Sequence, residues 1–218
     1  NFGNFSKPTI KHQIIITARV REEVLQRVPP ILFYPDTSQL AAVITHRYEK
    51  PRRSIRDNPE AGHVLSLEVL REKLARRIID TKLDDAPTKS RGQALELLVS
   101  QYLGYESNEG ELLMGGYPDL PNQVLEVKVQ DSPTIDLGKF SPQFKESVFP
   151  RLGITTVDVR YLIVLTNEKT GLVKGTVLCP GIRLGDHFSY VSDVSYKCQR
   201  SIPMDFFDRY DGRAVFNP

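Results

Sequence analysis

"YPDLPNQVLEVKV", residues 117–129, decides how this chain is read. A Pro-Asp pair stands ahead of a short apolar run that carries Glu126 and Lys128. In an extended strand successive side chains alternate faces, so Val124, Glu126 and Lys128 share one side while Leu125, Val127 and Val129 take the other. The two charges therefore project together. If the apolar side is covered, the polar side must look into solvent or a cleft, and Asp119, arriving after Pro118, places a second carboxylate near Glu126. Two carboxylates close together repel unless a proton or a cation intervenes. A hard divalent ion such as Mg2+, held by carboxylate and carbonyl oxygens and water, relieves that repulsion.

Lys128 adds a fixed positive charge to the same face. Phosphodiester hydrolysis needs charge stabilisation at the phosphoryl group and an attacking water held in line, and a metal with an ammonium beside it meets both needs. Taken singly, each feature has an ordinary explanation. An E-x-K pair is commonly a solvated ion pair of small energetic value, and Pro118-Asp119 alone is most often a turn. Their order along the chain, each on the element type a site requires, is what carries information.

Upstream, "SRGQ" at residues 90–93 matches a capping box, which places a helix start at Ser90 with Gln93 reaching back to the cap. Leu95, Leu98, Val99 and Tyr102 form its buried stripe, Glu96 falls on the flank of that stripe, and Gly104 supplies the stop. Leu67, Leu70, Leu74 and Ile78 recur at helical spacing and predict a second amphipathic helix. "IIITARVREEVLQRV" passes from a β-branched cluster into a helical pattern that ends at Pro29-Pro30. "ELLMGGY" (111–117), "QVLEVKV" (123–129), "VRYLIVLT" (159–166) and "GLVKGTVL" (171–178) read as strands, and "NEKTG" between the last two predicts a hairpin. The fold class expected is α/β (α+β), a mixed central β-sheet flanked by helices. "RYEKPRRSIRDNPEAG" (47–62) reads as a loop, and divides an N-terminal segment (1–62) from the remainder (63–218).

Asp119, Glu126 and Lys128, with Glu96 on the preceding helix, resemble the signature of the PD-(D/E)xK nucleases, a superfamily that includes many restriction endonucleases. Within it, "RGQALELLVSQYLG" followed by "PDLPNQVLEVKV" is similar to the MutH-type branch, in which a G-Q-x-x-E helix precedes Asp, a six-residue spacer and E-x-K. Gly92, Gln93, Glu96, Asp119, Glu126 and Lys128 fall on those positions. The resemblance implies a restriction-endonuclease-like fold and Mg2+-dependent cleavage of double-stranded DNA, with Mn2+ as a substitute metal. It assigns Asp119 and Glu126 as metal ligands, Glu96 as a supporting ligand and Lys128 as organiser of the nucleophile. It covers roughly residues 88–130. The long N-terminal segment has no counterpart in that branch, and the later basic residue is matched by Arg160 alone.

DNA phosphates call for cations near the cleft. Lys89, Ser90, Arg91 and Gln93 sit at the helix start, where the backbone also favours anions. Lys139 and Arg160, and further off Lys145, Arg52, Arg53 and Arg56, complete the candidates. The net charge of +2 indicates no basic coat but allows a local basic surface. Bases must be read by side chains in a groove, yet no helix-turn-helix or zinc-finger pattern is present. Cys179 and Cys198 form no metal-binding spacing, and His12, His46, His63 and His187 stand in unrelated contexts.

No apolar run reaches the roughly 20 residues of a membrane span, and the first residues do not read as a signal peptide. A prokaryotic cytoplasmic location follows as the expectation. The leading expectation is a type II site-specific deoxyribonuclease acting as a homodimer, so that two sites cut two strands. A repair or nicking nuclease controlled by a partner, and a non-catalytic DNA-binding domain, are the alternatives.

Overall fold

The computed structural model describes residues 9–51, 54–83, 88–106, 115–191 and 195–197. In chain order, β1 (Thr9–Ile16) leads into α1 (Ala18–Leu25), then β2 (Ile31–Phe33), β3 (Ile44–Thr45) and β4 (Val64–Leu65). Next come α2 (Leu67–Leu70), a π turn (Arg71–Ala75), α3 (Arg76–Ile78) and α4 (Thr88–Leu103). The C-terminal half holds β5 (Leu125–Gln130), β6 (Thr134–Gly138), β7 (Ser147–Phe149), β8 (Ile154–Thr155), β9 (Arg160–Thr166), β10 (Val173–Pro180), β11 (Phe188–Tyr190) and β12 (Ser195–Lys197). The protein has an α+β fold.

The central sheet runs β2-β10-β9-β5, so β5 is an edge strand. β5 pairs parallel with β9, which pairs antiparallel with β10, and β10 pairs parallel with β2. β9 is buried along its whole length because it is interior to the sheet and covered on both faces. On one face Leu125 and Val127 of β5 pack with Leu67, Leu70, Leu74 and Ile78 and with Leu95, Val99 and Leu103 of α4. On the other face Tyr161, Ile163 and Val177 pack with Ile14 and Ile16 of β1 and Val24 of α1. β1 belongs to a second sheet with β6, β11 and β12, so the molecule is layered as helices, central sheet, and second sheet with α1. Each fully buried Leu or Ile side chain contributes about 1.5–3 kcal/mol of transfer free energy.

Local chemistry explains the boundaries. Thr17 caps α1, its hydroxyl accepting from the Val20 amide at 3.3 Å, and Ser66 caps α2 through the Val69 amide at 3.4 Å. Gly104 ends α4 at φ +84°, and a side chain there would collide with Tyr48 Oη at 2.8 Å. Asn167 Oδ1 accepts from the Lys169 and Thr170 amides at 3.1 and 3.0 Å, which closes the β9–β10 hairpin expected at "NEKTG".

Two expectations change. Helix α4 already includes Thr88 among the described residues, so Ser90 lies inside the helix rather than at its cap. Of the strand expected at "ELLMGGY", residues 111–114 lie outside the described residues, while 115–117 form a loop in which Gly115 and Gly116 take φ of +66° and +147°. The second sheet built on β1 had no periodic signature of its own, because its strands lie far apart in sequence and are assembled by tertiary pairing.

Candidate active site

β5 carries the opening motif on the open edge of the central sheet. An edge strand has outward-facing amides with no neighbouring strand to accept them. Here the segment before β5 folds back to meet them. Leu120 and Leu125 exchange both backbone hydrogen bonds at 2.9 and 3.1 Å around a short 3-10 turn, Pro121–Gln123. Asp119 then lies against the strand, its Oδ2 accepting from the Val127 amide at 2.9 Å, while its own amide donates to Glu126 Oε2 at 2.9 Å. Val124 takes φ +49° to complete the reversal. A β-branched residue in the left-handed region is strained by about 1–3 kcal/mol, and it persists only where surrounding contacts over-determine it. The Leu120–Leu125 pair, the Arg160 amide bond to the Val124 carbonyl at 3.0 Å, and burial of the Val124 side chain supply those contacts.

Three charged groups meet at this point. Lys128 Nζ donates to Glu126 Oε1 and lies 3.4 Å from Asp119 Oδ2. Glu126 is only 3 % exposed, so it lies in a largely closed pocket, with the Lys128 and Asp119 side chains still 20 % and 14 % exposed, rather than in the open cleft expected from alternation. Tyr161 and Tyr117 help close it. Their hydroxyls are 2.8 Å apart, and the Tyr117 ring stacks on Phe140 with centroids 4.6 Å apart.

The pocket holds more acid than it neutralises. Burial first, and the Asp119 charge second, push the Glu126 carboxyl up to about 8. Glu96, half-buried on α4, is raised to about 7 by burial and again by Asp119, with Lys128 and Arg56 pulling it the other way. Lys128 is held well above its ordinary value by Glu126, Asp119 and Glu96, which outweigh the burial that acts against its charge. The four expected residues thus share one electrostatic site, in which burial and mutual repulsion raise two of the carboxyls above their ordinary range.

That imbalance suits a hard cation. Asp119 and Glu126 present carboxylate oxygens, and Mg2+ is commonly held by one or two carboxylates with water and substrate phosphate completing its shell. Among the described residues no group of three or more His, Cys, Asp or Glu side chains is arranged to hold a metal. The residues present fit a two-carboxylate site, with Glu96 acting on it through charge.

The expected DNA contacts divide sharply. Arg160 is fully buried; its guanidinium donates to the Leu65 and Gln123 carbonyls and pairs with Asp36 Oδ1 at 3.3 Å, so it braces the core and cannot meet a phosphate. Arg91, 8 % exposed, pairs with Asp131 Oδ2 at 3.3 Å and donates to the Glu168 carbonyl at 3.0 Å, which ties α4 to the β9–β10 hairpin. Lys139 and Lys145 are exposed, the first with its ammonium 5.4 Å from the Phe140 ring centre. Gln93, half-buried, precedes Glu96 by three residues and so lies on the same side of α4. The side chains of Lys89 and Ser90, and all of Arg52, Arg53 and Cys198, lie outside the described residues. Of the distant cations among the described residues, Arg56 is brought to the site: its Nη1 donates to the Asp119 carbonyl at 3.1 Å and the Gly115 carbonyl at 3.3 Å. Nothing in the spacing of the 47–62 loop marks Arg56 apart from its neighbouring arginines, because the contact depends on where the loop returns. His187, given no role from sequence, bonds through Nε2 to the Tyr34 hydroxyl at 2.6 Å, away from this site.

Among the described residues no helix is long and apolar enough to cross a membrane. Comparison with protein-family models, with curated proteins and with solved structures returned no match to this chain.

Proposed function

We propose that the chain is a Mg2+-dependent endonuclease that hydrolyses phosphodiester bonds in double-stranded DNA at a specific sequence, a type II restriction enzyme of the PD-(D/E)xK kind. The observation that carries this reading is the convergence of Asp119, Glu126, Lys128 and Glu96 at one buried, over-acidic point of the sheet edge. A structural ion pair needs one acid for one base. Here two carboxyls contact one ammonium and a third, Glu96, acts on it through charge, and the reversal at Val124, with φ +49°, brings Asp119 back against β5.

In this reading Asp119 and Glu126 hold the metal, which when bound supplies positive charge against the phosphate oxygens. Lys128 uses two of its three N–H donors on the carboxylates among the described residues, leaving one for a water or a phosphate oxygen. Glu96 sits where it can accept a proton near neutral pH. Exposed Lys139 and Lys145 serve phosphate positioning, and a homodimer places two such sites on the two strands.

Digestion of heterogeneous, unmethylated DNA with Mg2+, followed by sequencing of the ends, tests this directly. Discrete fragments with a shared end sequence support it, a smear points to a nuclease without sequence specificity, and intact DNA contradicts it. The direct Lys128–Glu126 pair favours one other reading, a DNA-binding domain in which the pair is purely structural. Metal-independent DNA binding with no product would support that alternative.

A further inference from the structure

The turn at residues 54–58 is built before any ligand arrives. Asp57 Oδ2 accepts from the Ser54 amide at 3.1 Å, the Ser54 carbonyl accepts from the Asp57 amide at 3.2 Å, and Ser54 Oγ accepts from the Arg56 amide at 3.1 Å. Ile55 is buried in the same core as Leu120. This turn is stitched to the Pro-Asp loop at several points. The Asn122 amide donates to the Ile55 carbonyl at 3.1 Å, and Asn122 Nδ2 to the Asn58 carbonyl at 3.4 Å. Arg56 Nη1 spans the carbonyls of Gly115 and Asp119, the two ends of a segment that opens with two positive-φ glycines. Glycine has the least intrinsic stiffness of any residue, so order in that segment must come from outside contacts.

We propose that Arg56 is a positioning residue for Asp119. By holding both ends of the 115–119 segment, its guanidinium keeps the Asp119 carboxylate against the Val127 amide and Lys128, and so couples the N-terminal segment to the proposed catalytic centre. The consequence for cleavage rests on the nuclease reading; the positioning itself does not. A guanidinium suits this task because its charge is permanent and its planar Nη1 carries two N–H donors, so two carbonyls are met by one side-chain nitrogen.

The test joins two readouts on the full chain. Amide exchange at Val127, followed by NMR without DNA or metal, reports whether Asp119 stays on the strand edge. Single-turnover cleavage at saturating DNA with Mg2+, set beside DNA affinity measured without divalent metal, separates positioning from phosphate binding. Arg56→Met should speed Val127 exchange about tenfold and slow cleavage about 10²-fold, with affinity unchanged. Arg56→Lys, which keeps a charged donor, should recover much of both. Asp57→Ala, at an exposed position that loosens only the turn, should move both readouts the same way by less, and it decides the matter if Arg56→Met does not fold. Unchanged Val127 exchange in folded Arg56→Met would overturn the proposal, as would a loss confined to DNA affinity. If the wild-type chain cuts no DNA, the nuclease reading falls, and Val127 exchange alone decides whether Arg56 positions Asp119.

Discussion

Two buried charge clusters lie side by side on neighbouring strands, and they are built on opposite plans. Arg160 of β9 stands in register with Leu125 of β5, one residue from Glu126. Its cluster is balanced: one guanidinium meets one carboxylate, Asp36, and two carbonyls, while the other Asp36 oxygen accepts from the Leu67 amide at 2.7 Å. The β5 cluster is unbalanced, with Asp119, Glu126 and Glu96 around Lys128 and two carboxyls raised far above their ordinary values. Balanced burial gives rigidity. Unbalanced burial raises carboxyl pKa values, a pattern that clusters at functional sites, and it is the β5 edge that shows it.

Asp119→Asn keeps the shape of the side chain and its bond to the Val127 amide but removes a ligand charge, so Mg2+-dependent cleavage should fall on the order of 10³-fold with little change in the denaturant midpoint. On the balanced side the effect should be on stability instead. Arg160→Met leaves Asp36 buried and uncompensated, and removing one partner of a buried pair costs about 3–5 kcal/mol, which urea unfolding would read. If Arg160→Met proved neutral, the division between a bracing cluster and a working one would fail.

A third prediction concerns pH. Glu96 and Glu126 hold their protons to about 7 and about 8 in the folded protein, against an ordinary value of 4.5. The folded state therefore binds more protons than the unfolded chain between these values. The stability these groups give is complete below 4.5 and is lost as pH rises through about 7 and about 8. Metal-free protein should unfold at lower urea as pH is raised across that window, Glu126→Gln should flatten the dependence, and added Mg2+ should stabilise most at the alkaline end. The smallest effect should come from the exposed Lys50–Glu106 pair, 3.0 Å apart, where Glu106→Gln changes stability by less than about 0.5 kcal/mol.

Much of this was legible in residues 88–130 alone. Period-2 alternation put Glu126 and Lys128 on one face, period-3.6 spacing put Leu95 and Val99 inward with Glu96 on the flank, and Gly104 marked the helix end. Burial of charge was not legible. Arg91 and Arg160 look like surface cations in sequence because nothing local reveals that Asp131 and Asp36 will meet them across 40 and 124 residues of chain. The same distance hides Arg56, whose contact with Asp119 spans 63 residues. Glu126 is also buried where alternation predicts an open face, with Tyr117 and Tyr161, from outside β5, close enough to feel its charge. Sequence periodicity reports which way a side chain points, and tertiary packing decides what it meets there.

The most direct measurement sets wild-type protein beside Lys128→Ala on mixed DNA, each with Mg2+ and with the metal chelated. Wild type is expected to give discrete cleavage products with Mg2+ alone and Lys128→Ala none, with both proteins folded. Equal cleavage by Lys128→Ala, or cleavage that survives chelation, would contradict the nuclease reading.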